Sequence, residues 1–187
     1  MGVERVNVTA IQSVSGHGKK AISELAAQTA SLLNGRGAEP KIYPQQIAFN
    51  VLPYVGEIRV DGHTDVEKRL VTQTRRVLGN NSLNINVSSV QVPVFYADSM
   101  MVSIDTRTAV SLKEIKETLE RCSEIIVLDD DGGKHSATPV THSTGKESIF
   151  VSRIRHVMSS DQGINLWVTT DNSRKSEAIN TSYIAES

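Results

Sequence analysis

The stretch from Leu83 to Val94 constrains the fold most. Leu83, Ile85 and Val87 alternate with Asn84, Asn86 and Ser88, the two-residue period of a strand with one buried face. At Ser89-Val90 the apolar parity changes, and Val90, Val92 and Val94 fall in step. A strand carries such a change only through a bulge or a switch of packing partners. Other strand patterns surround it: Val6 and Val8, Met101 to Asp105, Ile125 to Leu128, Phe150 to Met158, and Ile164 to Thr169.

Helical periodicity separates these strands irregularly. Ile22, Leu25, Ala26, Thr29, Leu32 and Leu33 form one stripe over a helix from about Lys19 to Asn34, with Gly35 placed to end it. Thr64-Asp65-Val66-Glu67 and Ser111-Leu112-Lys113-Glu114 have the capping-box pattern. They predict helices running to Leu78, closed by Gly79, and to about Arg121. Asp171 is placed to cap a last helix ending near Ile184. Gln46 to Pro53 reads as a short, partly extended apolar run. Gly37 to Pro44 and Asp129 to Lys146 read as surface loops. Strands and helices without strict alternation predict an α+β domain spanning 1–187: a mixed, largely antiparallel sheet with helices on one face. The other sheet face then needs a cover, for which a second subunit is the natural candidate.

Composition narrows the function. A net charge of -1 offers nothing electrostatic to nucleic acid or an anionic membrane. No apolar run approaches the roughly 18 residues of a membrane span. Met1-Gly2-Val3-Glu4-Arg5 lacks the apolar stretch of a signal peptide, and the missing Ser or Thr makes it a poor myristoylation match. The single cysteine forbids an internal disulfide and suits a cytoplasmic protein. Cys122 continues the stripe Leu112, Ile115, Leu119 and is expected to be buried. His63, His135, His142 and His156 are scattered, and Asp129-Asp130-Asp131 lacks the spacing of a calcium loop. No metal site is expected, and the aspartates read as a solvated strand exit. Arg153 and Arg155, two apart on a strand, are expected to share a face and either pair with carboxylates across a subunit interface or face water. Ser15-Gly16-His17-Gly18-Lys19 before a helix could cradle an anion on backbone N–H groups or be a plain tight turn. His17 is expected at the surface.

Four blocks in order resemble aspartate-semialdehyde dehydrogenase. They are Thr9 to Gly18, Gln46-Ile47-Ala48-Phe49-Asn50-Val51-Leu52-Pro53, Val90 to Asp98, and Gly163-Ile164-Asn165-Leu166-Trp167-Val168 with Asp171-Asn172-Ser173-Arg174-Lys175. The resemblance implies the glyceraldehyde-3-phosphate-dehydrogenase-like C-terminal fold, forming a homodimer through its sheet. It implies that the N-terminal NAD(P)-binding Rossmann half and its cysteine nucleophile are absent from this chain. NADP would serve the full-length family, and this chain would hold no cofactor. It places Gln12 on the active-site glutamine, Gln91 where an arginine binds the substrate carboxylate, and Asp98 where a histidine is the acid/base. On the helix after Thr64, Val66 stands for a glutamate and Arg69 for a lysine. Ser15, Gly16 and Asn172 would line the cofactor cleft.

A neutral amide makes no bidentate ion pair, and an ionised carboxylate is a poor proton donor. The substitutions resemble those of the Usg-type paralogues, in which the dehydrogenase site has decayed. The expectation is an inactive dimerisation half. Two rivals are half of a working NADP-dependent enzyme making aspartate semialdehyde from aspartyl phosphate, and a non-catalytic module pairing as a heterodimer with an active family member.

Overall fold

The structure is a computed structural model that describes residues 2–129, 135–158 and 160–174. The strands are β1 (Val3–Gln12), β2 (Asn84–Gln91), β3 (Asp98–Thr106), β4 (Ile125–Val127), β5 (Ile149–Val157) and β6 (Ser160–Thr170). The helices are α1 (Gly18–Leu33), α2 (Asp65–Val77) and α3 (Leu112–Glu120). The strands form one six-stranded sheet in the order β2-β1-β3-β6-β5-β4. The β1/β2 and β4/β5 pairs are parallel, while β1/β3, β3/β6 and β5/β6 are antiparallel. The α+β, mixed and largely antiparallel architecture is the one expected.

Register sorts the side chains onto two faces. Val8, Val102 and Leu166 lie across from one another on β1, β3 and β6. Val102 and Leu166 pack with Val151, Ile154, Ile164 and Ile115 of α3 in one core cluster. On the same face, α2 lies over β2. The opposite face carries Thr9, Met101 and Trp167 in one row. Neither α2 nor α3 packs there; the turn Pro139–Ser143 covers part of it, with Ser143 Oγ donating to Thr169 Oγ1 at 3.1 Å, and Met101 is exposed.

Local chemistry sets the helix ends. Thr64 and Glu67 form the complete reciprocal capping box. Ser111 accepts the Glu114 N–H, and no return bond from Glu114 closes the second box. Both α1 and α2 stop in Schellman geometry. Gly35 at φ 69° and Gly79 at φ 60° take the left-handed conformation. The N–H groups of Arg36 and Asn80 reach back to the carbonyls of Ser31 and Arg75.

Several expectations are corrected. The β1/β2 register runs unbroken from Arg5↔Asn84 to Gln12↔Gln91, so β2 has no bulge. The parity change is a switch of faces: Ser89 and Gln91 continue the buried row of Val87, and Val90 points to the other side. The bulge lies instead in β5, where register shifts between Ser152 and Arg155 and Arg153 sits at φ 57°. It brings Val151 and Ile154 onto one face, which plain alternation would separate. Cys122 is exposed, because α3 ends at Glu120 and the residues after Arg121 leave the helical stripe. The buried side of α1 is Ala21, Glu24, Leu25 and Gln28, and Leu33 is exposed. The 129–146 segment is not wholly a surface loop. Pro139–Ser143 form a single π-helical turn, and Ala137 and Ser143 are buried. Asp129 is not solvated: its carboxylate meets Lys116 Nζ at 2.7 Å and accepts the Ile154 N–H. Asp130, Asp131 and the expected last helix lie outside the described residues.

Candidate functional site

The ends of β1 and β2, the start of β3 and the end of β6 meet at one edge of the helix-bearing face. Their register brings Gln91, Gln12, Asp98 and Thr170 into one polar row. Gln91 is 1% exposed, and its Nε2 donates to the Gln12 carbonyl oxygen at 2.7 Å. A carbonyl only accepts, so this contact fixes which way the amide faces. The Gln91 backbone is held as firmly, exchanging both hydrogen bonds with Leu52 at 2.9 and 3.0 Å. Among the described residues, Gln91 Oε1 and Thr170 Oγ1 are buried without a hydrogen-bond partner.

Asp98 anchors a second chain of contacts. Its Oδ1 accepts the Ser13 backbone N–H at 2.8 Å and the Ser13 hydroxyl at 2.9 Å. Ser13 Oγ lies 2.9 Å from Ser15 Oγ, which donates to Asn172 Oδ1 at 2.9 Å. Burial pushes the Asp98 carboxyl above its ordinary range, helped by the nearby Asp171 charge and opposed by the two Ser13 bonds and His17. Simple ionisation, expected from residue type alone, is therefore disfavoured by the site. Ala97, buried at φ 69°, holds a conformation costly for a residue with a Cβ, directly before this carboxylate.

Asp171 is the neighbour that residue patterns missed. It is buried, and accepts the Gly145 N–H at 2.7 Å and both the Ser173 N–H and Oγ. Burial opposes its charge, but these donors and Arg174 together hold its carboxyl below the usual range. Sequence pattern marked Asp171 as a helix cap, and both Asp171 and Ser13 lay within the family-like blocks without a role of their own. Their pairing with residues 26 and 85 positions away leaves no local signal.

The Ser15–Lys19 turn is a short 3₁₀ turn, Val14–His17, leading into α1. Its amides are already engaged: Val14 and Ser15 donate to the Val94 and Phe95 carbonyls, Gly16 to Ser13, and Gly18 to Ser15. This favours the tight-turn reading over an anion cradle. His17 is exposed, its ring edge-on to Tyr43 with centroids 5.3 Å apart. Partial desolvation holds its imidazole below the ordinary value, with Asp98 pulling the other way.

The structure thus brings Gln12, Gln91, Asp98, Ser15, Gly16 and Asn172 to one edge of the sheet. A Cβ placed on Gly16 would lie 3.7 Å from Asn172 Nδ2. Arg69 is exposed on α2, where its charge acts on Asp65. Val66 packs against Gly56. The side chain of α2 that does reach the sheet is Glu67, whose Oε1 accepts the Ser89 N–H at 2.8 Å and its hydroxyl at 3.2 Å. Among the described residues, no group of three or more His, Cys, Asp or Glu is placed to hold a metal ion, and no helix is long and apolar enough to cross a membrane.

Residues 1–175 match the semialdehyde dehydrogenase dimerisation domain. The chain belongs to this family. It is 40% identical over 185 residues to aspartate-semialdehyde dehydrogenase of Shewanella violacea, covering 99% of this chain and 54% of that protein. The crystal structure of aspartate semialdehyde dehydrogenase II from Vibrio cholerae, complexed with ASA, superposes with a TM-score of 0.93 at 41% identity, covering 98% of this chain and 54% of that one. A probable aspartate-semialdehyde dehydrogenase from Pseudomonas aeruginosa superposes at 0.94 with 33% identity, over 100% of this chain and 55% of that one. The chain therefore spans about half the length of the relatives it matches, and within that half this semialdehyde dehydrogenase domain keeps the fold throughout.

Proposed function

We propose that this chain is the dimerisation half of an aspartate-semialdehyde dehydrogenase homologue of the Usg type, whose own residues no longer serve the dehydrogenase reaction. One observation carries the reading: the side chain at the substrate-clamp position, Gln91, is uncharged, buried and hydrogen-bonded to the Gln12 carbonyl. It offers no cation to a substrate carboxylate. Asp98, at the acid/base position, uses one oxygen to hold Ser13, a positioning role for the turn at the mouth of α1. The parent reaction would need a thiolate and NADP, both supplied by the half of the family's length that this chain does not span.

The part of this sheet face that residues 137–143 leave uncovered, around the exposed Met101, supports homodimerisation. Its row of Thr9, Met101 and Trp167 mixes apolar and small polar groups, and Trp167 is pinned by its Nε1 bond to the Ala137 carbonyl at 2.8 Å. A pre-ordered surface of this kind loses little side-chain entropy on pairing. Sedimentation of the purified chain should give a dimer, and Met101→Glu should shift it to monomer. In the same preparation, aspartate semialdehyde, phosphate and NADP should give no reduced nucleotide. Turnover by this chain would defeat the inactive reading, and a monomer at tens of micromolar would defeat the dimer.

A further inference from the structure

We infer that the groove between α1 and the segment 36–42 is a binding site for a small molecule carrying two or more phosphate groups, separate from the Gln91–Asp98 edge. The groove encloses about 930 Å³, within the range of small-molecule sites. Cations come from both walls: Lys19 and Lys20 from the first turn of α1, Arg36 and Lys41 from the facing segment. Lys19, Lys20 and Arg36 make no ion pair among the described residues, and Lys41 has only an exposed 3.7 Å contact with Glu39.

Two carboxylates line the groove: Glu39 is exposed beside Lys41, and Glu24 is turned away from any ligand. Glu24 accepts the backbone N–H groups of Lys41, Ile42 and Tyr43, and the Gln28 amide. Its charge is used to fasten the far wall, and Gln28 fastens the next stretch through Ile47 and Ala48. The groove is thus shaped before any ligand arrives. Ala27 and the Ser23 and Ser31 side chains leave its floor shallow and supply hydroxyl donors.

The placement of the two lysines on the helix points the same way. The first turn of α1 contains no acidic residue and carries two lysines instead. Positive charge there opposes the helix dipole, so the arrangement weakens the free helix. A multivalent anion seated between the walls relieves both that conflict and the repulsion among four cations. Oligophosphate fits better than a single carboxylate, because one charge cannot satisfy cations on both sides.

The test is a titration of the ¹⁵N-labelled 187-residue chain with inorganic tripolyphosphate, followed by amide shifts and calorimetry. Saturable shifts should be confined to residues 19–31 and 36–42, with affinity falling steeply as salt rises. The pair Lys20→Glu and Arg36→Glu should weaken binding at least tenfold, while Lys113→Glu on α3 leaves it unchanged. Lys20→Glu should also raise the melting temperature by removing the dipole conflict, which separates lost binding from lost folding. Shifts spread over all lysines, retained binding in the double variant, or no binding at millimolar ligand would each overturn the inference.

Discussion

Glu24→Ala should cost about 3–5 kcal/mol of stability, a figure assembled from what each lost contact leaves behind. Glu24 is 8% exposed in the middle of α1, and one carboxylate gathers three consecutive backbone donors from Lys41, Ile42 and Tyr43. Lys41 and Ile42 are exposed, so their N–H groups can turn to water. Each then forfeits only the net value of an ordinary exposed hydrogen bond, about 1 kcal/mol after rehydration. Tyr43 is buried. Its N–H is left without a partner at about 1–3 kcal/mol, and Gln28 loses its 3.0 Å acceptor as well. Glu24→Gln keeps one acceptor oxygen and sets an NH₂ against N–H donors, so it should cost about half as much, roughly 2 kcal/mol. Urea denaturation of both variants measures the loss. Hydrogen exchange locates it, with protection falling first at residues 41–43 and the Ile47 and Ala48 amides following. A Glu24→Ala loss below about 1 kcal/mol, with those amides still protected, would refute the clamp.

Three further outcomes are expected. Burial raises the Asp98 carboxyl above its unfolded value, so its ionisation weakens the native state, and the contribution recovers as pH falls through the raised value toward about 3.9. Asp98→Asn should therefore be more stable than wild type at pH 7, with the gap narrowing by pH 4 in urea midpoints; a gap that widens on acidification contradicts the assignment. Gln91→Arg places an unpaired charge at a buried position and should destabilise by about 3 kcal/mol or more, read by thermal melting, and it should not restore turnover in this chain. Thr64→Ala removes the Thr64 half of the α2 capping box and should cost about 1 kcal/mol, with equilibrium unfolding as the check.

Repeating short-range patterns made much of the architecture legible in the chain itself. Alternation of period two marked β1 and β2, because a strand exposes every second residue to one environment, and short apolar runs marked the other strands. Thr64–Glu67 and the glycines at 35 and 79 set helix limits within a residue or so, since caps depend on partners three to six positions away. The four blocks of family-like sequence located the polar edge of the sheet. What residue order could not show was which polar groups would be buried and by whom. The stripe on α1 placed Ile22, Leu25 and Leu32 rightly against the core, but not the exposed Leu33, and it missed the buried Glu24 and Gln28, which the segment 41–48 crosses with N–H groups to satisfy. Ser13 and Asp98, Gly145 and Asp171, and Gln12 and Gln91 meet only once the strands are ordered. Their hydrogen bonds follow from the sheet's register, and no local periodicity encodes a contact made 79 or 85 residues away.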